Sequence, residues 1–148
     1  MPKNLLKVEI FNQGVTESQY EEICDLLTQH YGTLPSYPSM EQVEETARVH
    51  TMFIVRDNGK VVAMATLVVY RKFAKVVGHI EEDVILASLP NREEVREMLF
   101  SVMAEHGRSL GVLTLDLETF AEKTEDTAAY LKLGYFLRKN IEVYRIRL

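Results

Sequence analysis

The chain of 148 residues has one cysteine, no tryptophan, four prolines and seven glycines. A single cysteine excludes an intramolecular disulfide framework and any zinc cluster built on cysteine. It is compatible with a reducing compartment. His30, His50 and His106 show no metal-ligand spacing, so no metal site is expected. Long apolar runs are missing too. The longest, residues 61–70, is ten residues, against the roughly 20 that a membrane span needs. The first ten residues carry Lys3, Lys7 and Glu9 and contain no signal-like apolar stretch. The expectation is a cytoplasmic protein with no membrane partner. Positive charge is short: 17 Lys and Arg stand against 22 Asp and Glu, a net charge of −5. Such a surface repels phosphate backbones and argues against nucleic acid as a partner.

What is present is globular. Apolar residues make up 47% and charged residues 26%, proportions of a folded core and not of a disordered chain. The length fits one domain over residues 1–148. A chain of this size buries roughly 68–70% of its unfolded surface and needs no covalent staple.

The elements follow from periodicity and punctuation. Residues 7–11 alternate and read as a strand. Thr16 with Gln19 is a capping box opening a helix whose apolar stripe is Tyr20, Ile23, Leu26 and Leu27. Ser39 with Gln42 is a second box, opening a short helix lined by Met40, Val43 and Ala47. Residues 51–56 and 60–70 are β-rich runs joined by Asp57-Asn58-Gly59, a strong hairpin signal because Asn and Gly tolerate φ > 0. Residues 76–86 are the next strand, and residues 91–109 the best helix, with Val95, Met98, Leu99, Val102 and Met103 at helical spacing. Residues 112–117 read as a strand and residues 124–133 as a helix stopped by Gly134. Residues 135–148 read as a closing hairpin turning near Lys139-Asn140. The order β-α-α-β-β-β-α-β-α-β-β, with a central antiparallel meander, is that of an α+β fold.

This order resembles the GNAT superfamily of acetyl-CoA-dependent N-acetyltransferases, and three details carry the likeness. Tyr70-Arg71-Lys72-Phe73 followed by Gly78-His79-Ile80-Glu81-Glu82-Asp83-Val84-Ile85 is similar to a segment of the glucosamine-6-phosphate N-acetyltransferases. That segment reads Glu-Arg-Lys-Phe, then Gly-His-Ile-Glu-Asp and an apolar run. Ala129-Tyr130-Leu131-Lys132-Leu133-Gly134-Tyr135 is similar to the family's Phe-Tyr-Glu-Lys-x-Gly-Phe. Leu115-Asp116 stands where the family's fifth strand ends in Leu-Asp. The resemblance implies a GNAT-like, mostly antiparallel mixed sheet flanked by helices. It also implies direct transfer of acetyl from acetyl-CoA to a primary amine of a small molecule, an amino sugar among the candidates.

The implied site has a readable chemistry. Strands 76–86 and 112–117 lie parallel and splay apart at one end. The opened backbone of Val84, Ile85 and Leu86 then takes the pantetheine arm like an added strand, and a backbone N–H there holds the developing oxyanion. The amine must lose a proton, which assigns Glu81 or Glu82 as base. Adjacent strand residues face opposite ways, so at most one points into a cleft unless a bulge intervenes. Tyr130 matches the residue that protonates the departing thiolate, and Asp116 assists in ordering the site. Arg71, Lys72 and His79 stand on the acceptor side. Each has a plainer reading beside this one. The acids can be a polar strand end, Tyr130 a packing residue, and Arg71 and Lys72 either a solvated turn or an anion clamp.

The donor side departs from the pattern. The family's Arg/Gln-x-x-Gly-x-Gly/Ala loop puts bare helix-start amides on the pyrophosphate. Here the matching stretch is Pro90-Asn91-Arg92-Glu93-Glu94-Val95, without a glycine. Asn91 with Glu94 reads as a capping box that fills those amides, and Arg92 and Arg96 are the groups left to meet phosphate. Asp126 stands where the sugar-phosphate enzymes carry Asn. An alternative function follows: a GNAT-like binding or regulatory protein whose degenerate loop no longer holds acetyl-CoA. A homodimer is a further implication of the resemblance, with the apolar run 61–70 and the tail residues Tyr144, Ile146 and Leu148 suited to it.

Overall fold

Two helix starts are made as their residues dictate. The Thr16 hydroxyl accepts the Gln19 N–H at 3.2 Å, and the Gln19 side chain accepts the Thr16 N–H at 3.1 Å. Ser39 and Gln42 repeat the exchange at 3.1 and 2.8 Å. Each cap is worth about 1 kcal/mol. In the computed structural model, which describes residues 6–12, 14–119 and 122–148, the elements are β1 (Leu6–Ile10), α1 (Glu17–Tyr31), α2 (Met40–Val49), β2 (Thr51–Asp57), β3 (Lys60–Arg71), β4 (Val76–Ile85), α3 (Arg92–Ser109), β5 (Leu115–Leu117) and α4 (Thr124–Lys132). They fall into two compact units, Met1–Glu118 and Thr119–Leu148.

The first unit holds one five-stranded sheet in the order β1-β2-β3-β4-β5. The first three pairings are antiparallel and the last is parallel. Asn58 and Gly59 take φ of 50° and 84°, so the β2–β3 hairpin turns as the dipeptide predicts. Residues 61–67 of β3 are buried at every position, because both faces of this central strand are covered. On one face Met52, Ile54 and Met64 join Ile23, Leu26 and Leu27 of α1 and Val43 of α2 in one core. Phe53 points the other way, edge-on to His106 of α3 at 5.6 Å. The apolar run 61–70, expected to suit a partner chain, is thus spent largely inside this one.

Polar side chains tie α1 to the sheet and α2 to the loop before α1. Glu22 of α1 accepts the Val61 N–H at 2.7 Å, and Glu44 of α2 accepts the Val15 N–H at 2.8 Å. β4 approaches β5 closely at Gly78, where an added Cβ would lie 2.5 Å from a Leu115 methyl and 3.0 Å from a Val112 methyl.

Two expectations are corrected. β5 is shorter than residues 112–117: Leu113 is exposed, and only three residues pair with β4. Residues 135–148 form no strand. Their alternation is real, but an isolated two-stranded hairpin is marginal in water, and Lys139-Asn140 lacks the glycine of a tight turn. Phe136, Tyr144 and Ile146 are accordingly exposed. In this second unit α4 ends as expected, with Gly134 at φ 95°. The observed order therefore stops at α4, within the α+β, mostly antiparallel class that the sequence predicts.

Gly78→Val should cost about 1–3 kcal/mol by overpacking against Leu115 and Val112. Leu115→Ala in the same chain should recover part of that loss in urea unfolding. A fully tolerated Gly78→Val would contradict the close approach.

Candidate functional site

The ladder between β3 and β4 breaks once. Thr66 pairs with Glu81 and Met64 with Val84, so Ala65 alone faces Glu82 and Asp83. This is a β-bulge, with one extra residue in β4. Glu82 sits at φ 51°, a left-handed conformation that costs a residue other than glycine about 1–2 kcal/mol. The bulge defeats simple alternation, and both Glu81 and Glu82 line one cavity of about 420 Å³. The exception allowed for in the sequence reading is the arrangement found.

The cavity lies between a sheet face and the α1–α2 arm. Met64, Thr66 and Val68, two apart on β3, form its floor with Met52. Ile23, Leu27 and Tyr31, four apart on α1, form one wall, and Val43 and Thr46 of α2 with His50 at its C-cap another. The Tyr31 hydroxyl donates to Glu82 Oε1 at 3.1 Å. Burial pushes the Tyr31 phenol up to about 12, helped by the adjacent Glu82 charge and hydrogen bond. His79 Nε2 lies 3.2 Å from Glu81 Oε1, two residues along the same face of β4. Tyr31 and His50 are the lining residues that sequence reasoning missed. Extending the Ile23–Leu27 stripe by one more step of four would have reached Tyr31.

Among the described residues, the other edge of β4 has no strand beside it over half its length. Gly78, His79 and Ile80 pair with Leu115, Asp116 and Leu117, and there β5 ends. β4 runs on for five residues. The Gly78 N–H donates to Thr114 on the β5 side, whereas the Leu86 N–H donates to Val62 on the β3 side. Amides alternate along a strand, so even-numbered ones face β5 before the bulge and odd-numbered ones face that edge after it. The Ile85 N–H therefore points to the edge β5 has left. The Ile85 carbonyl on that edge accepts Gln29 Nε2 at 2.6 Å and Arg92 Nη2 at 3.3 Å. The Ala87 N–H donates to Gln29 Oε1 at 2.8 Å, so one side chain of α1 fixes the loop leaving β4. Val84 and Ile85 are buried and Leu86 half-buried.

The start of α3 corrects one reading. Asn91 occupies the N-cap but makes no side-chain cap bond. Its ψ of 41° is far from the extended value that aims a capping side chain at the first turn. The expected Asn91–Glu94 box is thus not formed, and Asn91 does not consume the first-turn amides. Glu93 and Glu94 do lie in that turn. Arg92 is half-buried and reaches the Ile85 carbonyl, while Arg96 is buried in the inner face of the helix.

The remaining expected residues lie elsewhere. Asp116 is half-buried on β5, opposite His79. Arg71 and Lys72 stand at the β3–β4 turn; Arg71 is five residues along β3 from Thr66, the partner of Glu81, which is roughly 17 Å at ~3.4 Å per residue. Neither lines the cavity. In the second unit, Tyr130 is buried with its ring 6.3 Å from that of Tyr135, and Asp126 sits half-buried in the first turn of α4. Among the described residues no group of three His, Cys, Asp or Glu is placed to hold a metal, and no helix is long and apolar enough to cross a membrane.

Spectrophotometric titration of the tyrosines should show a component near pH 12 that Tyr31→Phe removes and Glu82→Gln moves toward 10. The neutral phenol is the favoured folded form, so its share of stability is present below pH 10 and is lost as pH rises through about 12. A component unmoved by Glu82→Gln would break the Tyr31–Glu82 link.

No profile of a known family matches the sequence, and no curated protein does. Solved structures do match in fold. An aminoglycoside acetyltransferase from an uncultured soil metagenomic sample, solved with trehalose, superposes with a TM-score of 0.83 at 12% identity, over 99% of this chain and 98% of that one. An aminoglycoside N-acetyltransferase in complex with CoA gives 0.76 at 17%, over 100% and 99%. Glucosamine-6-phosphate N-acetyltransferase from Arabidopsis thaliana gives 0.68 at 17%, over 95% and 97%. With its bulged β4, parallel β4–β5 pair and α+β order, the chain has the GNAT fold, the fold of these acetyltransferases.

Proposed function

We propose that the protein is an N-acetyltransferase that moves acetyl from acetyl-CoA directly to a primary amine of a small molecule. The observation that carries this reading is the bulge at Glu82. It turns two carboxylates into a cavity on one side of β4, next to the stretch of strand whose other edge is open. The solved neighbour in complex with CoA supports a coenzyme donor. The neighbours named for glucosamine 6-phosphate and aminoglycosides make an amino sugar the first acceptor to assay.

The residues divide the work by geometry. Glu82 is tied to Tyr31, so Glu81 is the base, directly or through one water, with His79 steadying its carboxylate. The ammonium of the acceptor gives Glu81 a proton. The amine lone pair then forms a bond to the thioester carbon, and the carbon–sulfur bond breaks. Amides of the open β4 edge hold the oxyanion between these events. The attacking nitrogen gives up its second proton as the amide forms, and the thiolate takes one to leave as CoA; the sequence resemblance alone gives the Tyr130 hydroxyl the part of passing that proton on, so that it ends as the neutral phenol. Of the expected stretch Val84, Ile85 and Leu86, the Ile85 N–H is the group on the edge that receives the pantetheine arm, since the backbone of Val84 and Leu86 faces β3. Arg92 is the cation offered to the pyrophosphate end, since Arg96 is buried in the inner face of α3; Asp116 assists in ordering the site, and Asp126 belongs to the coenzyme side by the sequence resemblance alone. Arg71 and Lys72 have no part within one chain in this scheme.

A second reading keeps its own observation. The start of α3 has no glycine and carries Glu93 and Glu94 in its first turn, where anionic ligands are otherwise favoured. A protein repelled from the coenzyme there would be a binding or regulatory module. Calorimetric titration of acetyl-CoA decides between the two. Binding, with Arg92→Ala weakening it roughly tenfold or more, supports the enzyme; no heat at millimolar coenzyme supports the module. With an accepted amine in hand, Glu81→Gln should lower kcat by about a hundredfold to ten-thousandfold while coenzyme affinity holds.

A homodimer also belongs to this reading. Ile141, Val143, Tyr144 and Ile146 keep a strand-like pattern and are exposed without a ladder. Light scattering at micromolar concentration should give twice the chain mass of 17.0 kDa; a monodisperse monomer would remove the dimer.

A further inference from the structure

The chemistry of the cavity wall narrows the acceptor. The lining is apolar over most of its surface: Ile23 and Leu27 from α1, Val43 from α2, and Met52, Met64 and Val68 from the sheet. The first five of these also belong to the buried core, so the inner end of the cavity is a continuation of that core. Formal charge enters at the bulge, through Glu81 and Glu82, and among the described residues no lysine or arginine lines the space. His50, at the C-cap of α2, supplies the imidazole among the lining residues. A phosphate placed here meets two carboxylates and, among the described residues, no lysine or arginine, and a charge so poorly matched in such a site is costly. A sugar ring would set part of its hydroxyls against methionine, valine and leucine, with the polar groups confined to Tyr31, Thr46, His50, Thr66 and the two glutamates. Arg71 and Lys72, which would serve a phosphate, lie at the far end of β3.

We infer that the acceptor is a small primary amine carried on an apolar body, alkyl or arylalkyl, without an acidic group. This rests on the amine-acceptor reading above and narrows it. The ammonium meets Glu81 and Glu82 at the bulge, while the carbon body lies along the α1–α2 walls. The volume of about 420 Å³ is at the small end of ligand pockets, which run roughly 300–1,000 Å³. It suits a body of several carbons better than an oligosaccharide.

The test is binding of the amine alone, by calorimetry on the full chain without coenzyme, using n-butylamine, n-hexylamine and glucosamine 6-phosphate. Hexylamine should bind roughly fifteenfold more tightly than butylamine, the ratio set by two more buried methylenes. Glucosamine 6-phosphate should be the weakest of the three. Thr46→Trp, a substitution at an exposed position of α2 on the rim, should abolish the hexylamine heat while thermal unfolding stays cooperative. Equal affinity of the two alkylamines, preference for glucosamine 6-phosphate, or hexylamine binding indifferent to Thr46→Trp would each overturn the inference. If Thr46→Trp fails to fold, the chain-length ratio alone decides. Acetyl-CoA is titrated separately. The predicted amine order without coenzyme binding removes the transferase and keeps the pocket; transfer to glucosamine 6-phosphate in preference to hexylamine keeps the transferase and removes the apolar acceptor.

Discussion

One extra residue in β4 sets the character of the site. Without it, Glu81 and Glu82 would face opposite sides of the sheet, and amides of one parity would bond β3 along the whole strand. With it, Glu82 bends into a left-handed conformation, both carboxylates turn to the cavity, and the odd-numbered amides beyond it face the edge that β5 has left. The strain at Glu82 is held by its surroundings. Tyr31 donates to its carboxylate from α1, and the ladder resumes at Val84 against Met64. Strained backbone that persists in this way marks places where structure serves something other than stability.

The rest of the first unit holds that strand in position. β3 is buried along most of its length, between α1 and α2 on one face and α3 on the other. Gly78 lets β4 approach Leu115 and Val112 closely enough for three residues of parallel pairing, and no more. Gln29 then fixes the exit loop from both the Ile85 carbonyl and the Ala87 amide. The same α1 that walls the cavity with Tyr31 thus also positions the turn toward α3.

Much of this was legible in the residues because it is local. The Thr16–Gln19 and Ser39–Gln42 boxes, the Asn58-Gly59 turn and the Gly134 stop each depend on neighbours within a few positions, and each formed. What failed depended on something the sequence does not carry. The 135–148 alternation describes a strand but not a partner for it. The Asn91–Glu94 pair has the residues of a cap, but ψ at Asn91 is 41°, outside the extended range a capping side chain needs. The pairing of Glu81 and Glu82 in one cavity needed a bulge, and nothing in Glu-Glu-Asp announces a left-handed residue. Tyr31 was half legible, since its spacing was in the stripe but its bond to a residue 51 positions away was not.

The central claim is that β4 beyond the bulge presents an open edge for the coenzyme. Residue-resolved amide hydrogen exchange, in the free protein and with saturating coenzyme A, tests it most directly. The account predicts that Leu86, bonded to Val62 across the ladder, is protected in both states. Ile85, one residue before it, exchanges fast in the free protein and slows when coenzyme is added. An Ile85 amide as protected as Leu86 in the free protein, or unmoved by coenzyme A, would contradict it.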